Sequence, residues 1–442
     1  MTNQVILSTP LSLSITPAAV AAPPAAAPPS APTSAAPAPA GTFSPPYALP
    51  ANGTKIAIPT TGRNVANDVK PAPHSNGSWQ YALFQSYGGG SFSPDYSPGG
   101  AYVLAGMGGH GASPCFGAAI FDFATGRWSY LPNANGFNEA RVSDVARRGE
   151  TNDWPYLELV GVKTGQMPSP SHHYTLQVSP PKSVTGGAKG AVIVTLGAAK
   201  TEEGWDSPQS HKLDLATGLW TRASNNLVTD VSSRTPYTDS SAAYDPTTRR
   251  IYATLNFPTN DRLACLDLSD NTWKSAGRYA LPNTNGVARS IWVDDQRRVL
   301  LYLLDNNQLW ALNLNNIGAG PARLATAGMV PNTSRRWEHY PAADGGDGCF
   351  YTLTGSGPAY GASGAPLASS QELLKLAPPA SGNPLSGTWT FSMVPIRGGI
   401  TAQYVTDPSA GAFHDSRFFY VPAIRCFAWI PNGSGAVELI KP

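Results

Sequence analysis

Some long stretches of this sequence lack strand-like patterning and contain aromatic residues beside charged or hydrogen-bonding residues. These residues are the best candidates for binding a ligand. A planar ring can stack on the apolar face of a sugar, while neighbouring carboxylates, guanidinium groups and imidazoles bind its hydroxyls. The alternative is that these rings pack the loops onto the body of the protein. The candidate binding residues are Trp154, Tyr156, Trp205, Arg335, Trp337, His339 and Tyr360.

Residues that could bind a metal ion or act in catalysis are scattered. His172 and His173 are adjacent, so on a strand their side chains would point to opposite faces and could not bind one ion together. The four cysteines form no C-x-x-C pair, which favours buried thiols over a zinc site or a disulfide framework. No G-x-S-x-G elbow, P-loop or dinucleotide fingerprint occurs. We therefore predict no catalytic residue, no metal site and no cofactor.

The composition argues against two classes of partner. The chain has 442 residues, of which 13% are charged, and its net charge is +2, so nothing predicts binding to nucleic acid or to an anionic membrane. No apolar stretch reaches the length of a membrane span. The first 22 residues contain no Lys or Arg, so the positively charged start of a secretory signal peptide is missing. We expect synthesis in the cytoplasm without a signal peptide.

An eight-residue pattern occurs three times. It reads FDFATGRW at 121–128, LDLATGLW at 213–220 and LDLSDNTW at 266–273. Each copy predicts a strand, a tight turn and a tryptophan that begins the next strand. A second pattern recurs in phase with it, as AYDPTTRRIY at 243–252 and IWVDDQRRVLLY at 291–302. Together they predict units of four short antiparallel strands, which need neighbouring copies in order to bury both faces.

These motifs resemble the kelch-type, galactose-oxidase-like β-propeller family. The resemblance rests on the Phe/Leu-Asp-apolar triplet, on the Thr-Gly-x-Trp that follows it, and on Gly108-Gly109 upstream of the first copy. It extends over about residues 78–442, although Leu255-Asn256 and Leu303-Leu304 replace the diglycine in later copies. The family implies a propeller whose connections between second and third strands, and between blades, emerge on one face. Its copper oxidases use two Tyr, two His and a Cys, a set that this sequence does not reproduce.

We predict an all-β protein, namely a β-propeller of six four-stranded blades, with seven blades as the alternative, behind an extended Ala/Pro-rich N-terminal arm. Residues 1–16 are predicted to form an anchoring strand, residues 17–50 an extended arm or linker, and residues 51–442 the propeller. A strand within Asn52–Thr61 is expected to complete the last blade and to close the ring.

One interval between repeats is unusually long. Trp128 and Trp220 are 92 residues apart, whereas Trp220 and Trp273 are 53 residues apart. The excess, at about 133–171, is mostly polar, and we interpret it as an inserted loop rather than a seventh blade.

Long loops on a rigid scaffold and a tethering arm predict a non-enzymatic structural or adhesion protein. The leading hypothesis is a phage virion decoration protein or a receptor- or glycan-binding propeller, which its arm holds on a larger protein assembly. The expected location is a virion or an extracellular surface assembly. One alternative is a carbohydrate-active kelch-like enzyme, either an oxidase or a lyase, which a metal in the purified protein would favour. Another is a bacterial surface or periplasmic binding propeller, which would need an export route.

Overall fold

The computed structural model describes residues 43–59, 89–105, 117–134, 176–197, 200–201, 204–205, 209–226, 241–255, 262–278, 290–303, 308–328, 343–353, 370–400, 417–430 and 437–442. Most of these residues lie in short strands or in the turns between them. The described helical content is a single turn, α1 (Lys182–Thr185), and a 3-10 turn at Ile317–Ala319. Within the described ranges, no helix is long and apolar enough to cross a membrane.

Six units of four antiparallel strands build the fold, and we number them blades 1 to 6 in chain order. Blades 1 to 4 are separate sheets, whereas blades 5 and 6 belong to one nine-stranded sheet, because a strand of blade 6 also pairs in parallel with the last strand of blade 5. Blade 1 contains β2 (Ser91–Ser93), β3 (Ala101–Ala105), β4 (Ala118–Asp122) and β5 (Arg127–Leu131). Blade 2 contains β6 (Gln177–Val178), β7 (Ala191–Gly197), β10 (Gln209–Asp214) and β11 (Trp220–Arg222), and the hairpin β8 (Lys200–Thr201) and β9 (Gly204–Trp205) lies between β7 and β10. Blade 3 contains β12 (Ala242–Asp245), β13 (Arg250–Leu255), β14 (Arg262–Asp267) and β15 (Thr272–Arg278).

The other three blades follow the same order, with one exception in blade 6. Blade 4 contains β16 (Ser290–Asp294), β17 (Val299–Leu303), β18 (Leu309–Asn313) and β19 (Pro321–Arg323), and β20 (Ala325–Ala327) follows it. Blade 5 contains β21 (Ala343–Asp344), β22 (Phe350–Leu353), β23 (Ser370–Ala377) and β24 (Thr388–Ile400). Blade 6 contains β25 (Phe418–Val421), β26 (Cys426–Trp429) and β27 (Glu438–Lys441), and its fourth strand is β1 (Thr54–Ala57) from near the N-terminus.

The hairpin turns explain the repeated aspartates of the sequence. Asp122 ends β4 and accepts a hydrogen bond from the backbone N–H of Ala124 at 2.8 Å, and Asp267 ends β14 and accepts one from Ser269 at 3.1 Å. Such a side chain satisfies the backbone of a tight turn and so favours it over a continued strand. The same kind of bond, from a backbone N–H two or three residues on, is found at Asp214, Asp245, Asp294, Asn313 and Asp344.

Neighbouring sheets pack face to face, and the series of contacts returns to its start. Val103 of blade 1 packs with Val194 of blade 2. Alternate residues of a strand point to opposite faces of its sheet, so the residue next to Val103 faces the other way. Tyr102, on the other face of blade 1, stacks on Phe419 of blade 6 with ring centroids 4.8 Å apart. Four further clusters join blades 2 and 3, 3 and 4, 4 and 5, and 5 and 6. The described sheets therefore form a closed ring, which confirms the predicted β-propeller, and within the described residues this ring has six blades.

Blades 1 and 2 contact each other directly, so no further sheet separates them within the described residues. No additional blade of the described ring therefore lies between blades 1 and 2, although their tryptophans are far apart in the sequence. Residues 135–175, which hold most of the predicted insertion, lie outside the described residues, and the bounds of that insertion stay a prediction.

The outer strands form a second set of contacts around the ring. Ala134, after the last strand of blade 1, donates its N–H to the carbonyl of Gly218 in blade 2 at 2.8 Å. Gly218 has φ +78°, and a Cβ there would lie 2.1 Å from the carbonyl oxygen of Pro132, so this contact requires glycine. Between blades 4 and 5, β20 pairs in parallel with the start of β24. Each of these contacts links a blade to the following blade at its outer edge.

The predicted closing strand is confirmed. β1 pairs antiparallel with β27, with Thr54 opposite Lys441, and the N–H of Gly53 donates to the carbonyl of Lys441 at 2.8 Å. The Nζ of Lys55 lies 2.8 Å from Oε1 of Glu438, whose side chain is only 7% exposed. On its other side the N–H of Arg397, near the end of blade 5, donates to the carbonyl of Gly53 at 2.8 Å. A strand from the start of the chain thus covers the edge that blade 6 would otherwise leave open.

The packed structure begins earlier than the predicted boundary at residue 51. Phe43 and Tyr47, two aromatic residues of the predicted arm, pack against the cluster between blades 6 and 1. The hydroxyl of Tyr47 donates to the carbonyl of Phe123 at 2.8 Å. We call residues 43–59 the closing segment. Residues 1–42, which include the predicted anchoring strand and most of the predicted linker, lie outside the described residues.

The repeat tryptophans and the cysteines serve the core. Trp128, Trp220 and Trp273 are all buried between blades. Cys265 and Cys426 are buried free thiols inside strands, as predicted. Cys349 is also a free thiol, but it lies one residue before β22 rather than inside a strand, because the turn that begins at Asp344 runs on to residue 349. Cys115 lies outside the described residues.

Candidate binding face

The connections predicted to bind a ligand all begin and end at the same edge of the sheets. In blade 1, the last residue of β3 and the first residue of β4, Ala105 and Ala118, are register partners at this edge. In a four-stranded antiparallel sheet the fourth strand also ends, and the first strand begins, at that edge. We call it the loop face, and we call the opposite edge, which carries the hairpin turns, the turn face.

Contacts between the inner strands of neighbouring blades show that like edges lie side by side there. At the loop face of blade 2, Gln177 contacts the end of β3 in blade 1, where its side-chain oxygen accepts the N–H of Ala105 at 3.0 Å. At the turn face of blade 3, Asp245 contacts Arg298 of the corresponding turn in blade 4. The arrangement that the family resemblance implied, with these connections on one face, is therefore supported by strand order and by contacts.

The structure places one predicted site residue in a described element. Trp205 lies in β9, and its backbone pairs with Lys200 of β8 in a hairpin that leaves the loop face between β7 and β10. Its side chain lies outside the described part of the structure. The other six candidates lie outside the described residues, in the connections from β5 to β6, from β20 to β21 and from β22 to β23; they are Trp154, Tyr156, Arg335, Trp337, His339 and Tyr360. Their role in binding stays a prediction.

The described residues beneath the loop face form a well-packed polar layer. The amide nitrogen of Gln177 donates to the carbonyl of Val103 at 2.7 Å and to Oγ of Ser91 at 2.9 Å. In blade 2, Oγ of Ser210 donates to the carbonyl of Thr195 at 2.5 Å and accepts the indole N–H of Trp273 from blade 3 at 3.1 Å. Buried polar groups with their partners in place hold neighbouring blades rigidly together.

Sequence analysis missed Gln177 and Ser210 as members of this layer, and it also missed the buried Arg417. Arg417 precedes the innermost strand of blade 6, and only 1% of its surface is exposed. Arginine is usually exposed, so its residue type alone does not predict that Arg417 is buried at the loop-face end of an inner strand. The only available signal was its place directly before the apolar run of β25.

Ion pairs form at the turn face. Asp245 is fully buried, and its two carboxylate oxygens accept from the two terminal nitrogens of Arg298 at 2.6 and 2.8 Å. Burial alone would raise the pKa of Asp245, but the hydrogen bonds from Arg298 and Thr248 outweigh it and lower the pKa below its ordinary value. This bidentate pair joins the first turns of blades 3 and 4.

A second polar group lies at the turn face of blade 5. The hydroxyl of Tyr351 donates to Oδ2 of Asp347 at 2.8 Å, and the Nζ of Lys375 lies 3.2 Å from the same oxygen. Burial is the main reason that the pKa of Tyr351 is raised to about 12; the neighbouring Asp347 also raises it, whereas Lys375 lowers it. A tyrosine held in its protonated form is suited to donating a hydrogen bond and unsuited to acting as a base at neutral pH.

No catalytic set emerges from these groups. Within the ranges that the structure describes, no three His, Cys, Asp or Glu side chains lie close enough together to hold a metal ion. The described residues form a rigid frame from which the loop-face connections extend. The arrangement can position side chains for binding, and the chemistry of binding depends on the loops themselves.

Comparisons with known proteins are limited to architecture. No family model and no curated protein sequence matches this chain. Among solved structures, the auxiliary nutrient binding protein of Bacteroides ovatus is 12% identical with a TM-score of 0.41, and the match covers 81% of this chain and 69% of that one. The propeller of Dos1 is 10% identical with a TM-score of 0.36, covering 79% and 66%.

A third solved structure is the β-propeller domain of Cps50 (Swd1) from Myceliophteria thermophila, which is 12% identical with a TM-score of 0.37, covering 80% and 83%. The chain thus spans about two thirds of the length of the first two proteins. Similarities at this level carry no inference about ligand or activity.

Proposed function

We propose that this protein is a non-enzymatic binding propeller, whose loop face binds a glycan or a host-surface receptor and whose N-terminal arm tethers it to a larger protein assembly. The observation that carries the proposal is the opposition of two features. The closing segment, through which the arm joins the propeller, packs against the turn between β4 and β5 at the turn face. The connections that carry the candidate aromatic residues begin and end at the loop face. The loop-face connections are thus separate from the turn against which the closing segment packs, which leaves them available to meet a ligand.

We further propose a virion, in particular a phage virion, as that assembly, with the propeller displayed as a decoration or receptor-binding head. The support is the sequence itself: an Ala/Pro-rich arm and a low content of charged residues. The kelch-type assignment belongs to the same proposal. It is supported by Thr125-Gly126 and Thr217-Gly218, which form the turns between third and fourth strands of blades 1 and 2.

Ligand binding at the loop face is tested with Trp154→Ala and Trp337→Ala. Each variant is expected to bind the glycan or host cell surface at least ~10-fold more weakly, since buried aromatic anchors carry much of the energy of an interface. The matched control is Leu219→Ala, which removes an exposed apolar side chain from the turn face. Glycan-array screening and surface binding of the purified full chain measure the effect. Equal losses in all three variants, or no ligand on any glycan or host surface, would contradict the proposal.

Tethering is tested with a chain that begins at residue 43. This truncation keeps the closing segment, so the propeller is expected to fold and to bind ligand as the full chain does. It should fail to enter the assembly, which co-purification with virion particles would measure. Incorporation at the level of the full chain would rule out the arm as a tether while leaving the binding role standing.

A further inference from the structure

The closing segment is held to the propeller by residues that are remote from it in the sequence. Gly53 hydrogen-bonds to Lys441 and Arg397, Lys55 pairs with Glu438, and Tyr47 bonds to Phe123. The surface that receives it is built by blades 5, 6 and 1, all of which follow it in the chain. All of these contacts join the segment to residues that are distant in the sequence, so they would be the same if the segment came from another copy of the chain.

The connection after the closing segment is long. Thirty-three residues separate the end of β1 from the start of β2, and the other passages between blades range from 11 residues, between β15 and β16, to 45 residues, between β5 and β6. Thirty-three residues can span at most about 110 Å when fully extended. Such a length lets the same segment reach the receiving surface of a neighbouring copy.

We propose that the closing segment is exchanged between copies of this chain, so that β1 of one protein completes blade 6 of another. Exchange keeps every contact described above, and only the chain that supplies the strand changes. The closed monomer is favoured because its own segment is covalently attached and so has a higher effective concentration than the segment of another copy in dilute solution. Copies held side by side at higher local concentration favour exchange. The high local concentration of copies rests on the proposed tethering to an assembly. The exchange itself is a property of the purified protein.

The pair between Lys55 and Glu438 supplies a direct test, because it joins the two partners at a largely buried position. Lys55→Glu places two carboxylates opposite each other in its own ring, and Glu438→Lys places two ammonium groups there. Neither change can be relieved by exchange among identical copies. In a mixture of the two variants, exchange brings the two substituted side chains, which have opposite charges, together in one ring and restores the natural pair in the other.

The experiment mixes the two full-length variants at about 100 µM after partial unfolding in urea and measures mass by light scattering. The expected result is a 1:1 heterodimer of twice the 46.4 kDa monomer mass, with each variant alone monomeric. The double variant Lys55→Glu/Glu438→Lys is the matched control, since it restores attraction within one chain and should stay monomeric. A mixture that remains monomeric, while the double variant folds normally, would overturn the inference.

A second measurement covers the case in which the single charge variants fold poorly. Ile56 and Leu439 are direct register partners across β1 and β27. Ile56→Cys and Leu439→Cys on separate chains can form a disulfide with each other only if the strand is exchanged. A covalent heterodimer on a non-reducing gel, absent from either variant alone, supports the inference, and its absence contradicts it. Neither experiment involves a ligand or a virion, so failure of the proposed function leaves this result unaffected.

Discussion

Arg249 and Arg298 hold the same position in the first turns of blades 3 and 4, with φ of +55° and +54°. This left-handed conformation is unfavourable for residues other than glycine and asparagine, so both arginines carry the same backbone strain. Their side chains differ in surroundings. Arg249 is exposed, whereas Arg298 binds the fully buried Asp245.

Replacing each arginine by alanine separates the ion pair from the backbone effect. Arg298→Ala is expected to lower the free energy of unfolding by about 3 kcal/mol, because it leaves Asp245 as a buried carboxylate without its main counter-charge. Arg249→Ala should change the same quantity by no more than about 0.5 kcal/mol. Urea unfolding followed by tryptophan fluorescence measures both values. Equal effects would show that the buried pair does not contribute to stability.

Two aspartates at hairpin turns should respond to pH in opposite directions. Burial would raise the pKa of Asp267, but hydrogen bonds from Lys274, Ser269 and Arg250 outweigh it and hold the pKa well below its ordinary range. Asp294 is buried in blade 4, and this burial raises its pKa although Arg297 lies beside it. A lowered pKa stabilises the folded state at neutral pH, and this contribution is lost as the pH falls. A raised pKa has the reverse effect, since the folded state then favours the protonated carboxyl.

Asp267→Asn and Asp294→Asn test these directions. Asp267→Asn should destabilise the protein at pH 7, and the deficit should shrink as the pH falls below the ordinary aspartate value of about 4. Asp294→Asn should gain stability relative to the natural protein as the pH rises from about 4 to 7. Asn313, which makes the equivalent turn bond at 2.9 Å, indicates that asparagine preserves the turn. If the free energy of unfolding changed with pH in the same way in the natural protein and in both variants, the two pKa directions would be contradicted.

At the scale of elements, β1 contributes far more than its four residues suggest. It covers the edge of β27, pairs Lys55 with Glu438 and follows the aromatic residues that pack between blades 6 and 1. Without it, the backbone of β27 and the buried side chains of Leu439 and Ile440 would meet water.

Two truncations measure this contribution. A chain that begins at residue 43 should unfold within about 2 °C of the full chain, because it keeps the whole closing segment. A chain that begins at residue 60 should unfold at least about 5 °C lower or aggregate, since it loses the outer strand of blade 6. Thermal unfolding by circular dichroism checks both. A truncation at residue 60 that matches the full chain would mean that the closing strand does not support the ring.

At the scale of the whole molecule, six similar interfaces in a closed ring couple the blades to one another. Each blade packs on two neighbours, so opening any one interface exposes apolar surface on both sides of the break. This differs from an open repeat array, whose terminal units can unfold separately.

We therefore expect the chain from residue 43 onward to unfold in a single cooperative transition. Tryptophan fluorescence, which includes Trp128 of blade 1 and Trp389 of blade 5, should change at the same urea concentration as the circular dichroism of the sheets. The truncation at residue 60 should broaden or split this transition because its ring is open. Separate transitions in the closed chain would show that the blades are energetically independent.

Short-range patterns in the sequence are enough to define the repeating unit of this protein. An aspartate at the end of a strand, a residue suited to positive φ and a tryptophan recur within eight residues, and interactions over so short a distance do not depend on the rest of the fold. For that reason the four-stranded blades and even the closing strand near Thr54 could be predicted. The candidate binding residues follow from residue type and from their place in long loops, and their mutual positions depend on loops that short-range patterns do not describe.

Which distant residues meet depends on the tertiary structure. Asp245 and Arg298 are 53 positions apart, and Lys55 and Glu438 are 383 apart, and each pair forms only because successive blades pack around a closed ring. The same closure turned part of a predicted linker into packed structure, since Phe43 and Tyr47 find an apolar surface only where blades 6 and 1 meet. Burial and pairing across long separations are properties of the assembled ring, and no local pattern in the chain encodes them.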